Sequence, residues 1–155
     1  MKKLLLLSGF LVVLLSACTR YNSDITSQSA IDDARIRAYI EANHINATKG
    51  PYGIYYEILK TDTSTQHPTS TSNVQVSYIG NLLNGANFQP QATSILSLNG
   101  TDEAIGGFQV AMPLMTIGER MLLIVPSTLG YGSVTQGNVP ANSVLVFTVD
   151  LLGFY

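Results

Sequence analysis

Apolar and polar positions form three patterns along the 155-residue chain. The first is a block: residues 4–15 are almost wholly apolar and follow Lys2 and Lys3. A bilayer span takes roughly 20 apolar residues, so this run is too short to be one. Positive charge, a short apolar core and the small residues Ser16 and Ala17 predict a secretory signal peptide over residues 1–17. Residues 18–28 are polar and are expected to form a tether. The second pattern is helical. Ser29 is the expected N-cap, with Asp32 three residues later and Asp33 beside it in the first turn. Ile36, Tyr39 and Ile40 then follow at helical spacing, and the helix is expected to end near Asn43, ahead of Lys49-Gly50-Pro51. A lone helix of this length is marginal in water, so it must dock on the rest of the chain or on a second copy.

The third pattern, short strand-like runs separated by loops and turns, fills the rest of the chain. Residues 52–60, rich in aromatic and β-branched side chains, predict a strand, and the Ser/Thr-rich residues 61–73 a flexible polar loop. Residues 74–78 alternate as a half-buried strand does, and the Asn84-Gly85 turn closes a hairpin into residues 86–88. Residues 95–98 predict another short strand. Residues 102–115 predict a short helix interrupted by Gly106, Gly107 and Pro113. A turn at Gly118 and Glu119 leads into a continuous apolar strand over 120–126. A Gly-rich loop over 129–141 carries Tyr131, and residues 143–152 close the chain as a last strand. About five strands with one short helix among them make an α+β fold. The expected organisation is a signal peptide (1–17), a tether (18–28), a helix, strand and polar loop (29–73), and a main domain (74–155).

Composition narrows the chemistry. Eight basic against ten acidic residues leave no basic patch of the size nucleic acid requires, so no nucleic-acid partner is expected. Two histidines and one cysteine exclude a Cys/His zinc cluster and an internal disulfide. No metal site and no cofactor are expected, because the chain also lacks a nucleotide-binding glycine motif and a nucleophile elbow. His44 and His67 are expected to be solvated. The sole cysteine, Cys18, follows Leu15-Ser16-Ala17 directly, a string that resembles a bacterial lipobox. That resemblance implies a lipidated Cys18 at a new N-terminus. Lipid chains contribute about 0.8 kcal/mol per buried methylene, which would tether the chain to a membrane without spanning it. Thr19 in place of Asp after the cysteine suggests, by resemblance to enterobacterial sorting, the outer membrane; no acidic run follows, which favours the periplasmic face.

Tyr78-Ile79-Gly80, Asn84-Gly85, Phe88, Ile105, Gly118, Pro126-Ser127, Leu129-Gly130-Tyr131-Gly132, Pro140 and Leu145-Val146-Phe147 occur in this order. Together they resemble FKBP-type peptidyl-prolyl cis-trans isomerases. With the helix and Tyr-rich strand ahead of them, the layout resembles the FKBP lipoproteins of Bacteroidetes-type bacteria. The resemblance implies an antiparallel sheet of about five strands wrapped around one short helix, with an extra N-terminal helix. It also implies a catalytic pocket of Tyr78, Phe88, Ile105, Phe108, Tyr131 and Phe147. In that reading Tyr78 and Phe88 form walls and Phe108 the floor, and Phe147 closes the back. The Ile105 N–H and the Tyr131 hydroxyl face the substrate carbonyl. Gln89, Leu96 (or Ile95 beside it), Ala104 and Val139 complete the substrate-binding set. The partners implied are Xaa-Pro segments of exported proteins; the oligomeric state is not indicated.

Three positions and one loop length depart from the family pattern. Gln89 stands where an Asp is usual, Phe108 where a Trp is usual, and Ala104 where Val or Ile is usual; the loop from Tyr131 to Pro140 is one residue short. Three readings of function follow: a lipid-anchored isomerase acting on exported proteins, a proline-peptide-binding or chaperone module with weak turnover, and an envelope component whose N-terminal helix makes a dimer through Ile36 and Tyr39.

Overall fold

The computed structural model describes residues 27–100 and 104–155. The signal peptide, Cys18, most of the tether and the first residues of the expected 102–115 helix lie outside the described residues. Helix α1 (Gln28–Ala42) starts earlier than expected, because Ser27 rather than Ser29 is its N-cap and accepts a hydrogen bond from the Ala30 N–H. Asp32 and Asp33 therefore fall beyond the first turn, where the macrodipole no longer explains them. The helix ends as expected, with the Asn43 side-chain amide donating to the Tyr39 carbonyl at 2.8 Å.

The strands are β1 (Thr48–Lys49), β2 (Tyr55–Lys60), β3 (Asn73–Leu82), β4 (Asn87–Ser97), β5 (Arg120–Val125) and β6 (Leu145–Phe154), with α2 (Gly106–Ala111) between β4 and β5. They form one six-stranded sheet in the order β1-β2-β5-β6-β3-β4. Every pairing is antiparallel. The strand expected at residue 52 begins only at Tyr55. Pro51–Gly53 make a tight turn in which Tyr52 and Gly53 both take positive φ, 53° and 83°. The separate pieces expected at 86–88 and 95–98 are the two ends of β4. Pro90 lies within β4, which is an edge strand and slips register between Tyr78 and Gly80 of its partner, the setting in which a sheet tolerates proline. β3 is correspondingly longer than 74–78, and β6 lies two residues later than 143–152. The middle helix is shorter than expected, since Pro113 diverts the chain into a 3-10 turn, Met112–Leu114. The polar loop over 61–73 ends in an ordered turn: the Ser72 N–H donates to the Thr69 carbonyl, and the Thr69 N–H to Ser72 Oγ at 3.0 Å.

The sheet buries both of its faces, which accounts for the unbroken apolar run in β5. Met121, Leu123 and Val125 of β5, with Leu145, Phe147, Val149 and Leu151 of β6, point to the main core with Phe108 and Ala111 of α2. Ile124 and Val146 point the other way, onto Ile36 of α1, with Tyr39 and Ile40 packed around them. The N-terminal helix thus docks on its own chain. α2 lies close against β5: a Cβ placed on Gly107 would stand 2.6 Å from Val125 Cγ1. That approach fixes how far α2, and Ile105 at its start, stand from the sheet.

Candidate active site

Three neighbouring strands and α2 enclose one small aromatic cavity of about 80 Å³. β3 supplies Tyr78, β4 supplies Phe88, Gln89 and Leu96, and β6 supplies Phe147. Ile105 caps α2, Phe108 lies in its first turn, and Tyr131 comes from the loop after β5. The cavity is far smaller than the roughly 300–1,000 Å³ of a drug-sized site. Larger depressions exist, of about 350 Å³ beside the start of α1 and about 310 Å³ near Leu82 and Pro140. Both are more open and lack the convergent aromatic wall, so size does not decide the site.

Phe147, almost fully buried, is the centre of the wall. Its ring lies 4.9 Å from Phe108, 5.7 Å from Phe88 and 6.2 Å from Tyr78, and Tyr78 lies 5.3 Å from Phe108. Three of these four contacts are edge-on, the arrangement the ring quadrupoles favour. The rings fit because β3 has a glycine beside them. Gly80 is in register with Phe147 on one side and Gln89 on the other. A Cβ on Gly80 would stand 2.7 Å from Phe88 Cζ and 2.9 Å from Phe147 Cε1. A second register slip, between Gly80 and Asn81, leaves Phe88 as the extra residue of β4.

Ile105 and Tyr131, which line the same cavity, each carry a polar group. The Ile105 carbonyl accepts from the Phe108 and Gln109 N–H groups, so Ile105's own N–H stands ahead of the helix without an intrahelical partner. Burial holds the Tyr131 phenol above its usual titration range, and the nearby Tyr78 phenol adds to that shift. A phenol is protonated at neutral pH, so the Tyr131 hydroxyl can donate a hydrogen bond there. The Gln89 amide donates to the Pro90 carbonyl at 3.1 Å. Among the described residues there is no group of three or more His, Cys, Asp or Glu side chains able to hold a metal ion.

Of the ten pocket residues named from the sequence, eight line this cavity. Ala104 and Val139 do not; both are buried in the core that packs behind it. Leu96 rather than Ile95 supplies the β4 wall, since Leu96 is 8% exposed and Ile95 is 56% exposed. Cys18 lies outside the described residues. Sequence reasoning missed two supports. Gly80 was legible as a glycine inside a strand, a sign of close approach. Asp32 was legible as a polar residue one helical turn ahead of Ile36, on the stripe that docks.

An antiparallel sheet packed on a short helix, with an aromatic cavity between them, is an α+β arrangement shared with solved proteins. A solved peptidyl-prolyl cis-trans isomerase from Pseudomonas syringae superimposes with a TM-score of 0.67 at 24% identity, covering 83% of this chain and 96% of that one. The family model described as FKBP-type peptidyl-prolyl cis-trans isomerase matches residues 64–152, and the chain belongs to that family. FK506-binding protein 1 of Yarrowia lipolytica is 31% identical over 109 residues, 65% of this chain and 97% of that protein. The FKBP-type peptidyl-prolyl cis-trans isomerase FkpA of Aeromonas hydrophila is 35% identical over 104 residues, 64% of this chain. This chain spans only 37% of that relative's length.

Proposed function

We propose that the chain is a peptidyl-prolyl cis-trans isomerase that binds Xaa-Pro segments in the aromatic cavity. The observation that carries this reading is the convergence of Tyr78, Phe88, Phe108 and Phe147 on one small cavity that Tyr131 and Ile105 also line. Amide resonance sets a barrier of about 18–20 kcal/mol to rotation about the bond before proline. A planar amide is strongly dipolar and a twisted one less so. A pocket that replaces water with aromatic edges therefore disfavours the planar ground state relative to the twisted transition state. The Tyr131 hydroxyl and the Ile105 N–H hold the carbonyl while the prolyl side turns. Family membership supports the same activity.

The clients in this reading are exported proteins, and the site of action is the cell envelope. The lipobox-like string ending at Cys18 supports a lipid anchor, placed at the outer membrane and facing the periplasm. A Cys18→Ser variant tests it: the protein should leave the membrane fraction, and retention there would remove the anchor from the account. A second reading, a proline-peptide-binding module with little turnover, draws on two features. Gln89, in the usual place of an Asp, turns its amide to the Pro90 carbonyl, and Phe108 offers less ring area than a Trp. Turnover of an Xaa-Pro tetrapeptide, measured beside its binding, separates the two. Catalysis sustains the first reading, and binding without catalysis the second.

A further inference from the structure

Asp32 is a fully buried carboxylate on a helix that contributes nothing to the cavity lining. Its Oδ2 accepts two hydrogen bonds from Ser127, 95 residues away in sequence: the backbone N–H at 2.8 Å and the hydroxyl at 2.6 Å. Its Oδ1 accepts from the Gln28 side-chain amide at 2.8 Å. Ser127 is also fully buried, and its carbonyl in turn accepts the N–H groups of Gly130 and Gly132, at 3.0 and 2.8 Å. Tyr131 is the residue between those two amides. Carboxylate, serine and glycine amides thus form one unbroken chain of hydrogen bonds from α1 to the residue that carries the cavity's hydroxyl. A buried carboxylate costs desolvation energy that an apolar residue on the same stripe, such as Ile36, does not. Docking the helix alone gives no reason for it.

We propose that Asp32 is a positioning residue: through Ser127 it fixes the loop that presents the Tyr131 hydroxyl to the substrate carbonyl. The proposal rests on the isomerase reading for its catalytic consequence, while the anchor itself can be read without turnover. A misplacement of about 1 Å in a positioning group can cost on the order of a hundred-fold in rate, and a loop held at one end loses less.

The test uses the full chain in detergent and a set of variants. Asp32→Ala should speed amide exchange at Gly130 and Gly132 at least several-fold, change the Tyr131 ring signals, and lower turnover by about ten-fold. Asp32→Asn keeps an oxygen toward both Ser127 donors, with the Gln28 amide turned to present its own oxygen. It should stay near wild type in all three readouts. Val144→Ala removes buried volume from the cluster on which Ile36 of α1 packs and leaves Asp32 and Ser127 in place. It controls for lost stability and should leave the Gly130 and Gly132 amides and turnover unchanged. Added to Tyr131→Phe, the Asp32→Ala change should cost little more turnover. Should Asp32→Ala fail to fold, Ser127→Ala removes one donor only and should show smaller shifts in the same signals. Wild-type exchange and ring signals in Asp32→Ala, losses matched by Val144→Ala, or an undiminished loss in the Tyr131→Phe background would each overturn the proposal. A chain with no turnover at all would refute the isomerase reading instead, with the exchange and ring signals still reporting on the anchor.

Discussion

Gly80→Ala adds one methyl group at the point where β3 passes under the aromatic wall. The backbone at Gly80 does not take positive φ, so alanine is not excluded by conformation and the effect is steric. Carbon atoms rest about 3.5–4.0 Å apart, and the new methyl would meet Phe88 Cζ at 2.7 Å and Phe147 Cε1 at 2.9 Å. Phe147 cannot yield freely, because Phe108 and Tyr78 pack against its other sides. Phe88 is only partly buried and must swing away. Overpacking of this kind costs about 1–3 kcal/mol. Replacing glycine by alanine returns about 0.4–1 kcal/mol by restricting the unfolded chain. The net expectation is a loss of about 1–2 kcal/mol in urea unfolding, with a larger proportional loss of Xaa-Pro binding because the displaced ring is a cavity wall. A variant with wild-type stability and wild-type binding would refute the reasoning that Gly80 makes room for the rings.

Tyr131→Phe should lower turnover several-fold with the unfolding midpoint unchanged; equal turnover would remove the hydroxyl from the mechanism. Gln89→Asp should raise turnover by supplying the carboxylate the cavity lacks, measured on the same tetrapeptide, whereas no gain would assign the limit to cavity shape. Turnover should be flat from about pH 6 to 9, because no lining residue has an ordinary pKa in that window. The one resolved shift in the cavity is upward: Tyr131's folded pKa exceeds its unfolded value, so its neutral form prevails at every pH below the phenol range. That contribution to stability is full below the unfolded pKa of about 10 and is lost as pH rises through the folded one. A bell-shaped profile within the flat window would point to acid–base chemistry instead.

Much of the site was legible because its residues sit on strands with clear alternation. Tyr78, two residues before Gly80, and Phe147 within an apolar closing strand are fixed to one face once the sheet is assumed. Local pattern failed where long-range contacts decide. Residues 86–88 and 95–98 read as separate short strands, yet they are the two ends of one edge strand whose register slip absorbs Pro90. Asp32 reads as a favourable charge near a helix start, yet its partner is Ser127, which only the folded sheet brings within reach. Ala104 and Val139 were assigned to the pocket by resemblance and stand behind it in the core. Tyr52 reads as the start of a strand, but Pro51 has no N–H to pair and the chain turns there.

The central claim is that the aromatic cavity catalyses rotation about Xaa-Pro bonds. Its most direct test is the cis-to-trans rate of an Xaa-Pro tetrapeptide with the full chain in detergent, with and without a macrolide that fills FKBP pockets. The account predicts acceleration that the macrolide suppresses and that falls in Tyr131→Phe. A folded protein that binds the peptide but accelerates no Xaa-Pro bond, across several residues before proline, would contradict it.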